Sequence, residues 1–240
     1  MFYFLADNHY DTHPGRVIFE HLPENIRNRT NFAEDDWQLL ESGKFLNDCE
    51  LLILNMIGGS CNIPHPDGNA EKFILRYLEN GGNVLLLHGS SAAFWQWPWW
   101  RRIVGLRWVR PGDPDQVSPS CHPVKPYTLR VCKCRHSLSG KLTGVTLPAD
   151  EIYIDLEQVS PVEVLMDTFI DEGVFPQCFV CRTPWGGEMV HHLAGHSPEV
   201  NSHPTVISNI CAIIEYLTYE AISKVIQKEI KKSALMRLER

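Results

Sequence analysis

Histidine is the residue type best placed to do chemistry in this chain, with 11 among 240 residues. Three of the histidines follow apolar runs that read as strands: His9 after Phe2–Ala6, His88 after Val84–Leu87 and His196 after Glu188–Leu193. Were those strands parallel neighbours, three imidazoles would reach one edge of one sheet. Convergent imidazoles hold a divalent metal such as zinc, or move protons near neutral pH. His9, His88 and His196 are therefore the expected metal ligands, with His88 and His196 also expected as catalytic acid/base groups. The competing reading is three separate polar loop residues, and no H-E-x-x-H motif decides between the two.

Three other groupings carry chemistry. Cys132-Lys133-Cys134 and Cys178-Phe179-Val180-Cys181 supply four thiols, the number a structural zinc site uses. Strand alternation, however, puts Cys132 and Cys134 on one face and splits Cys178 from Cys181, so buried thiols filling a core are the expectation. Trp95, Trp97, Trp99 and Trp100 crowd six positions just after His88. They either line a cleft, where indole faces meet sugar C–H surfaces, or pack beneath a later segment. On the cleft reading, Trp97, Ser90 and His9 are the substrate contacts. The third grouping is carboxylate: Asp150-Glu151 stands before a strand and Glu199 follows His196. Glu151 is the one expected to orient a histidine or share its proton. There is no G-x-G-x-x-G and no G-x-x-x-x-G-K-[ST], so no nucleotide motif is present.

These residues need a frame. The near-unbroken runs Leu51–Asn55 and Val84–Leu87 read as strands covered on both faces. Between them Phe73, Ile74, Tyr77 and Leu78 share a helical face, with Asn69 as the expected N-cap and Gly81-Gly82 as the stop. Alternating strands and helices predict a mostly parallel sheet with helices on both faces, whose carboxyl edge binds ligands. From about 106 to 182 prolines and short alternating runs predict a β-rich insertion, and Trp185-Gly186-Gly187 a hairpin turn. A helical tail is expected over about 204–240, so that residues 1–240 form a single domain.

The segment Gly81-Gly82-Asn83-Val84-Leu85-Leu86-Leu87-His88-Gly89-Ser90-Ser91, with Trp97-Pro98-Trp99-Trp100 and Val104-Gly105, resembles the ThuA-like (trehalose-utilisation) family. So do Asp150-Glu151-Ile152-Tyr153 and the stretch from Gly186-Gly187-Glu188 through Gly195-His196-Ser197-Pro198-Glu199. The resemblance implies an α/β, flavodoxin-like, class I glutamine amidotransferase-like three-layer sandwich. Amidotransferases of that fold carry a cysteine at the elbow after the central strand. His88 stands there in this chain, which argues against glutaminase chemistry. The resemblance also implies carbohydrate metabolism, on trehalose-related or keto sugars; with the histidines, the expected enzyme is a metal-assisted hydrolase or isomerase. The alternative is a binding or assembly module that kept the fold without the nucleophile.

Composition narrows the partners. Net charge is -7, from 22 basic against 29 acidic residues, which disfavours a nucleic-acid surface. No run approaches a membrane span, and the first residues lack a signal-peptide pattern, so a reducing cytoplasm is expected. A small-molecule substrate is the expected partner, and homo-oligomerisation is left open.

Overall fold

A computed structural model describes residues 1–8, 11–58 and 64–219. Its spine is a sheet of nine strands in the order β2-β1-β3-β4-β11-β10-β9-β6-β7. Strands β1 (Phe2–Ala6), β3 (Leu51–Asn55), β4 (Val84–Leu87) and β11 (Glu188–His192) are buried at every position. With β2 (Thr30–Glu34) they make the parallel half. Period-two alternation divides their side chains between two cores. On one face Phe2, Phe4, Ile53, Leu85 and Val190 pack with Ile18 of α1 (Pro14–His21) and with Ile210, Ile213 and Leu217 of α6 (residues 204–219). On the other, Tyr3, Leu5, Leu54, Leu86 and Met189 pack with Leu40 of α3 (Gln38–Glu41), Ile74 and Leu78 of α4 (Gly68–Glu79), and Trp97 and Trp100. The remaining short helices are α2 (Glu24–Arg27), which starts after Pro23, and α5 (Pro198–Asn201).

The expectation of a mostly parallel sheet is corrected. Strands β10 (Gly173–Arg182), β9 (Val162–Ile170), β6 (Val124–Val131) and β7 (Val145–Glu151) continue the sheet antiparallel, so four pairings are parallel and four antiparallel. The cause is connection length. Two residues join β9 to β10 and five join β10 to β11, too few for the crossover that a parallel pair requires. The β-rich stretch thus extends the central sheet. Strands β5 (Leu106–Arg107) and β8 (Glu157–Gln158) form a separate pair.

The far ribbon does not stay flat. Strand β6 pairs with β9 at only Arg130↔Asp167 and Val131↔Met166, while its other end pairs with β7 as far as Val124↔Glu151. Tyr127, Leu129 and Leu147 of that ribbon share one core with Val190 and Ala194. The ribbon therefore folds over the α6 side of the sheet and returns the end of β7 to the loop after β11.

The cap of helix α4 lies two residues before the expected Asn69. The Asp67 carboxylate accepts the N–H groups of Asn69 and Ala70, which makes Asp67 the cap and puts Asn69 in the first turn. Among the described residues no helix is long and apolar enough to cross a membrane. The tail beyond residue 219 lies outside the described residues.

Candidate functional site

Strand β4 ends at Leu87, and His88 is the next residue. Its φ is 50°, a left-handed conformation uncommon for a bulky side chain and concentrated at functional sites. Gly89 follows because space is short: a Cβ there would stand 2.9 Å from the Tyr153 hydroxyl. The turn continues as a 3-10 helix, His88–Ala92.

The His88 ring is buried and its tautomer is fixed. Nδ1 lies 2.9 Å from the Leu193 carbonyl, which can only accept, so Nδ1 carries the hydrogen. Nε2 is left facing the Tyr153 hydroxyl at 3.0 Å and Glu151 Oε2 at 3.3 Å. The same Glu151 oxygen is 3.4 Å from His196 Nδ1, and the His88 and His196 ring centres are 5.4 Å apart. The other oxygen, Oε1, lies 3.2 Å from Nδ1 of His122, whose side chain is 48% exposed. Tyr153 also packs on Trp108 at 4.3 Å between ring centres, and Trp108 approaches His122 at 5.4 Å. The cluster therefore runs from a buried imidazole, through a carboxylate, to an imidazole open to solvent.

Asp150 holds the loop that carries His196. Its buried carboxylate accepts the backbone N–H groups of Gly195, His196 and Ser197 at 3.3, 3.1 and 2.8 Å. Charge-assisted bonds to backbone donors are strong, so this loop is fixed from the β7 side. Glu151, the next residue, turns to the histidines. Burial alone would push its carboxyl up. The hydrogen bond that His88 gives when protonated, and the attraction of His88, His196 and His122 in their protonated forms, outweigh burial and hold it below the ordinary carboxylate value.

His88, Glu151 and His196 can each offer one ligand atom, and the three atoms lie within 4.8 Å of one another. Two donors bound tetrahedrally at about 2.0–2.1 Å from an ion such as zinc stand about 3.3 Å apart. The separations of Glu151 Oε2 from His88 Nε2 and His196 Nδ1, 3.3 and 3.4 Å, match that spacing. Without an ion, the same atoms can pass a proton between imidazole and carboxylate.

The structure brings together His88, His196 and Glu151 of the expected set. His9 lies outside the described residues. Ser90 is buried and its hydroxyl is spent on backbone, at Leu54 O, Leu87 O and the Met56 N–H. Trp97 is buried against Phe94, with ring centres 4.1 Å apart and an interplanar angle of 15°. Trp97 and Trp100 are thus core, and the indole at the site is Trp108. Cys178 and Cys181 belong to opposite cores, and the described residues contain no group of cysteines that could hold a metal. Burial pushes the Cys181 thiol up to about 12 and that of Cys178 higher still, as inert thiols require. Sequence reasoning missed Tyr153, His122 and Trp108. Tyr153 carried one signal, its place two residues after Glu151. His122 and Trp108 carried none.

Comparisons with known proteins agree with this architecture. The family model described as "ThuA: Trehalose utilisation" matches residues 5–217. Among solved structures, a ThuA-like protein from Parabacteroides merdae superposes with a TM-score of 0.71 at 17% identity, covering 91% of this chain and 90% of that one. A second from Bacteroides uniformis gives 0.64 at 17% identity, covering 90% and 91%. A cytoplasmic protein from Salmonella typhimurium gives 0.59 at 12% identity, covering 90% and 98%. Identities this low speak for the fold alone. No curated protein matches the chain.

Proposed function

Since the chain belongs to the trehalose-utilisation (ThuA-like) family, we propose that it is an enzyme acting on a carbohydrate or related polyhydroxylated compound at the His88–Glu151–His196 cluster. The single observation carrying this reading is the meeting of those side chains, from β4, β7 and the loop after β11, at ligand spacing. His88 and His196 hold a divalent ion such as zinc together with Glu151. A bound ion supplies Lewis acidity toward a carbonyl or a water molecule. His88 keeps its Nε2 turned inward because the Leu193 carbonyl holds the other nitrogen. Glu151 holds or takes a proton between the imidazoles, and His122 connects it to solvent. The Trp108 and Tyr153 rings form a wall on which the C–H face of a sugar can lie.

The test is metal analysis of the purified chain beside activity on a panel of glycosides and keto sugars. Stoichiometric metal in the wild type, lost in His88→Ala/His196→Ala, is the expected result. Absence of metal under saturating zinc, with no turnover on the panel, would leave the rival reading, a small-molecule-binding module. That rival is favoured by one observation, the histidine at the elbow where an amidotransferase needs a thiol. On either reading we assign a small-molecule ligand and no nucleic-acid or membrane partner, supported by the charge of -7, and a cytoplasmic setting like that of the Salmonella typhimurium neighbour.

A further inference from the structure

Strand β11 has two ends. The cluster around His88 lies beyond its carboxyl end. At its amino end is a cavity of about 460 Å³, lined by residues from the start of β9, the end of β10 and the start of β11, together with His136. That volume is in the range of small-molecule sites. Its apolar wall is Pro161 and Val180. Its floor is Glu188, the first residue of β11, whose side chain is only 7% exposed.

A hydrogen-bond chain fixes the Glu188 carboxylate. The Tyr216 hydroxyl lies 2.7 Å from Oε2 and 3.3 Å from Nε2 of His136. A phenol has one hydrogen, and the short contact to an acceptor-only carboxylate claims it. The His136 ring then donates from Nε2, while its Nδ1 faces the Leu138 N–H. Oε2 is thereby served from the α6 side. Oε1 faces the Nε of Arg182 at 3.4 Å, and the Arg182 side chain is 82% exposed. Among the described residues, the cation that this buried carboxylate oxygen meets is thus held on a long, solvent-washed arm. Glu163 lines the same cavity, so carboxylates outnumber guanidinium there. Burying a carboxylate is costly unless a cation accompanies it.

We propose that this cavity binds a small organic cation, an alkylammonium or alkylguanidinium, with its charged head on Glu188 Oε1 and its apolar body on Pro161 and Val180. Arg182 is the intramolecular stand-in that such a ligand displaces. The site is independent of the His88 cluster, from which the length of β11 separates it.

Ligand-observed NMR and calorimetry on the full chain test this with n-butylammonium and butylguanidinium, against 1-butanol and butyrate as matched neutral and anionic probes. Both cations should bind saturably and the controls should not. Glu188→Gln keeps an acceptor for Tyr216 and should weaken the cations about tenfold or more, the value of one charge-assisted contact. Arg182→Ala removes the competitor and should tighten them several-fold. This arm decides the matter if Glu188→Gln does not fold. Equal binding of butanol and butylammonium, unchanged affinity in folded Glu188→Gln, or no cation binding in Arg182→Ala at tens of millimolar each overturns the proposal. Metal content at the His88 cluster should stay unchanged throughout.

Discussion

The parallel and antiparallel halves of the sheet contribute to the site in different ways. The parallel half delivers His88 and His196 by topology: both follow adjacent parallel strands, β4 and β11, so both arrive at one edge. The antiparallel half delivers Glu151 and Tyr153 by curvature. Their segment begins at the outermost strand of the order and reaches the cluster because the β6–β7 ribbon folds back over the core. A parallel strand end is a default ligand edge, whereas the carboxylate depends on how far a ribbon curls. The imidazoles are thus fixed by the common frame, and the acid is where shape can vary.

The largest expected effect lies on the seam strand. In β11 the rings of His191 and His192 are fully buried, and His191 stacks on Phe179 at 4.2 Å. Burial drives His191 down to about 3 and His192 down to about 4. Above the ordinary histidine value near 6.5 both folded and unfolded chains are neutral here, and nothing is lost. Below it the unfolded chain takes protons that the folded one refuses. Stability should then fall by about 1.4 kcal/mol per pH unit for each ring, or about 5 kcal/mol between pH 6.5 and 4.5 for the two. Urea unfolding at pH 7 and pH 4.5 checks this. The double variant His191→Phe/His192→Leu should flatten most of the slope, and an unchanged slope would place the acid sensitivity away from the seam.

Next in size is the ligand from the curled ribbon. If both halves bind the ion, Glu151→Gln should weaken zinc about 100-fold, as His88→Ala should, each roughly 2.7 kcal/mol. Competition with a chromogenic chelator measures both. A Glu151→Gln variant with wild-type affinity would mean that the antiparallel half only walls the site.

How much of this was legible in the sequence follows the same division. Strands β1, β3 and β4 could be read because burial on both faces turns them into continuous apolar runs. His88 and His196 could be read because strand ends in a parallel sheet share an edge. The antiparallel extension was legible as strands but not as part of the same sheet, since its pairing depends on short connections rather than on hydrophobic period. Trp108 and His122 were invisible: the former's backbone N–H donates to the Ser91 hydroxyl and the latter is reached through Glu151, both long-range tertiary contacts. Trp97 was misleading because an indole in a core and an indole in a cleft look alike as letters.

Two buried aspartates sharpen the comparison further. Asp7, at the end of β1, accepts the Ile57 and Gly58 N–H groups at 2.8 and 2.7 Å, while Asp150 accepts three. Replacing either by Asn weakens charge-assisted bonds and should cost about 1–3 kcal/mol in urea unfolding. Asp150→Asn alone should also lower zinc affinity, because its loop carries His196. Equal effects on zinc would remove the distinction between frame and ribbon.

The smallest effect concerns Tyr153, and its sign is informative. Its hydroxyl faces the lone pair of His88 Nε2, the same lone pair an ion would use. One lone pair cannot serve both, so the phenol must yield when an ion binds. Tyr153→Phe should therefore cost about 1 kcal/mol in the metal-free protein, the ordinary value of one hydrogen bond. Zinc affinity should stay level or rise by a few-fold, since the competing donor is gone. Denaturation without metal and chelator competition with it separate the two quantities. A tenfold loss of zinc affinity would instead make the phenol a member of the binding set, and the curled ribbon would then supply two groups to the ion rather than one.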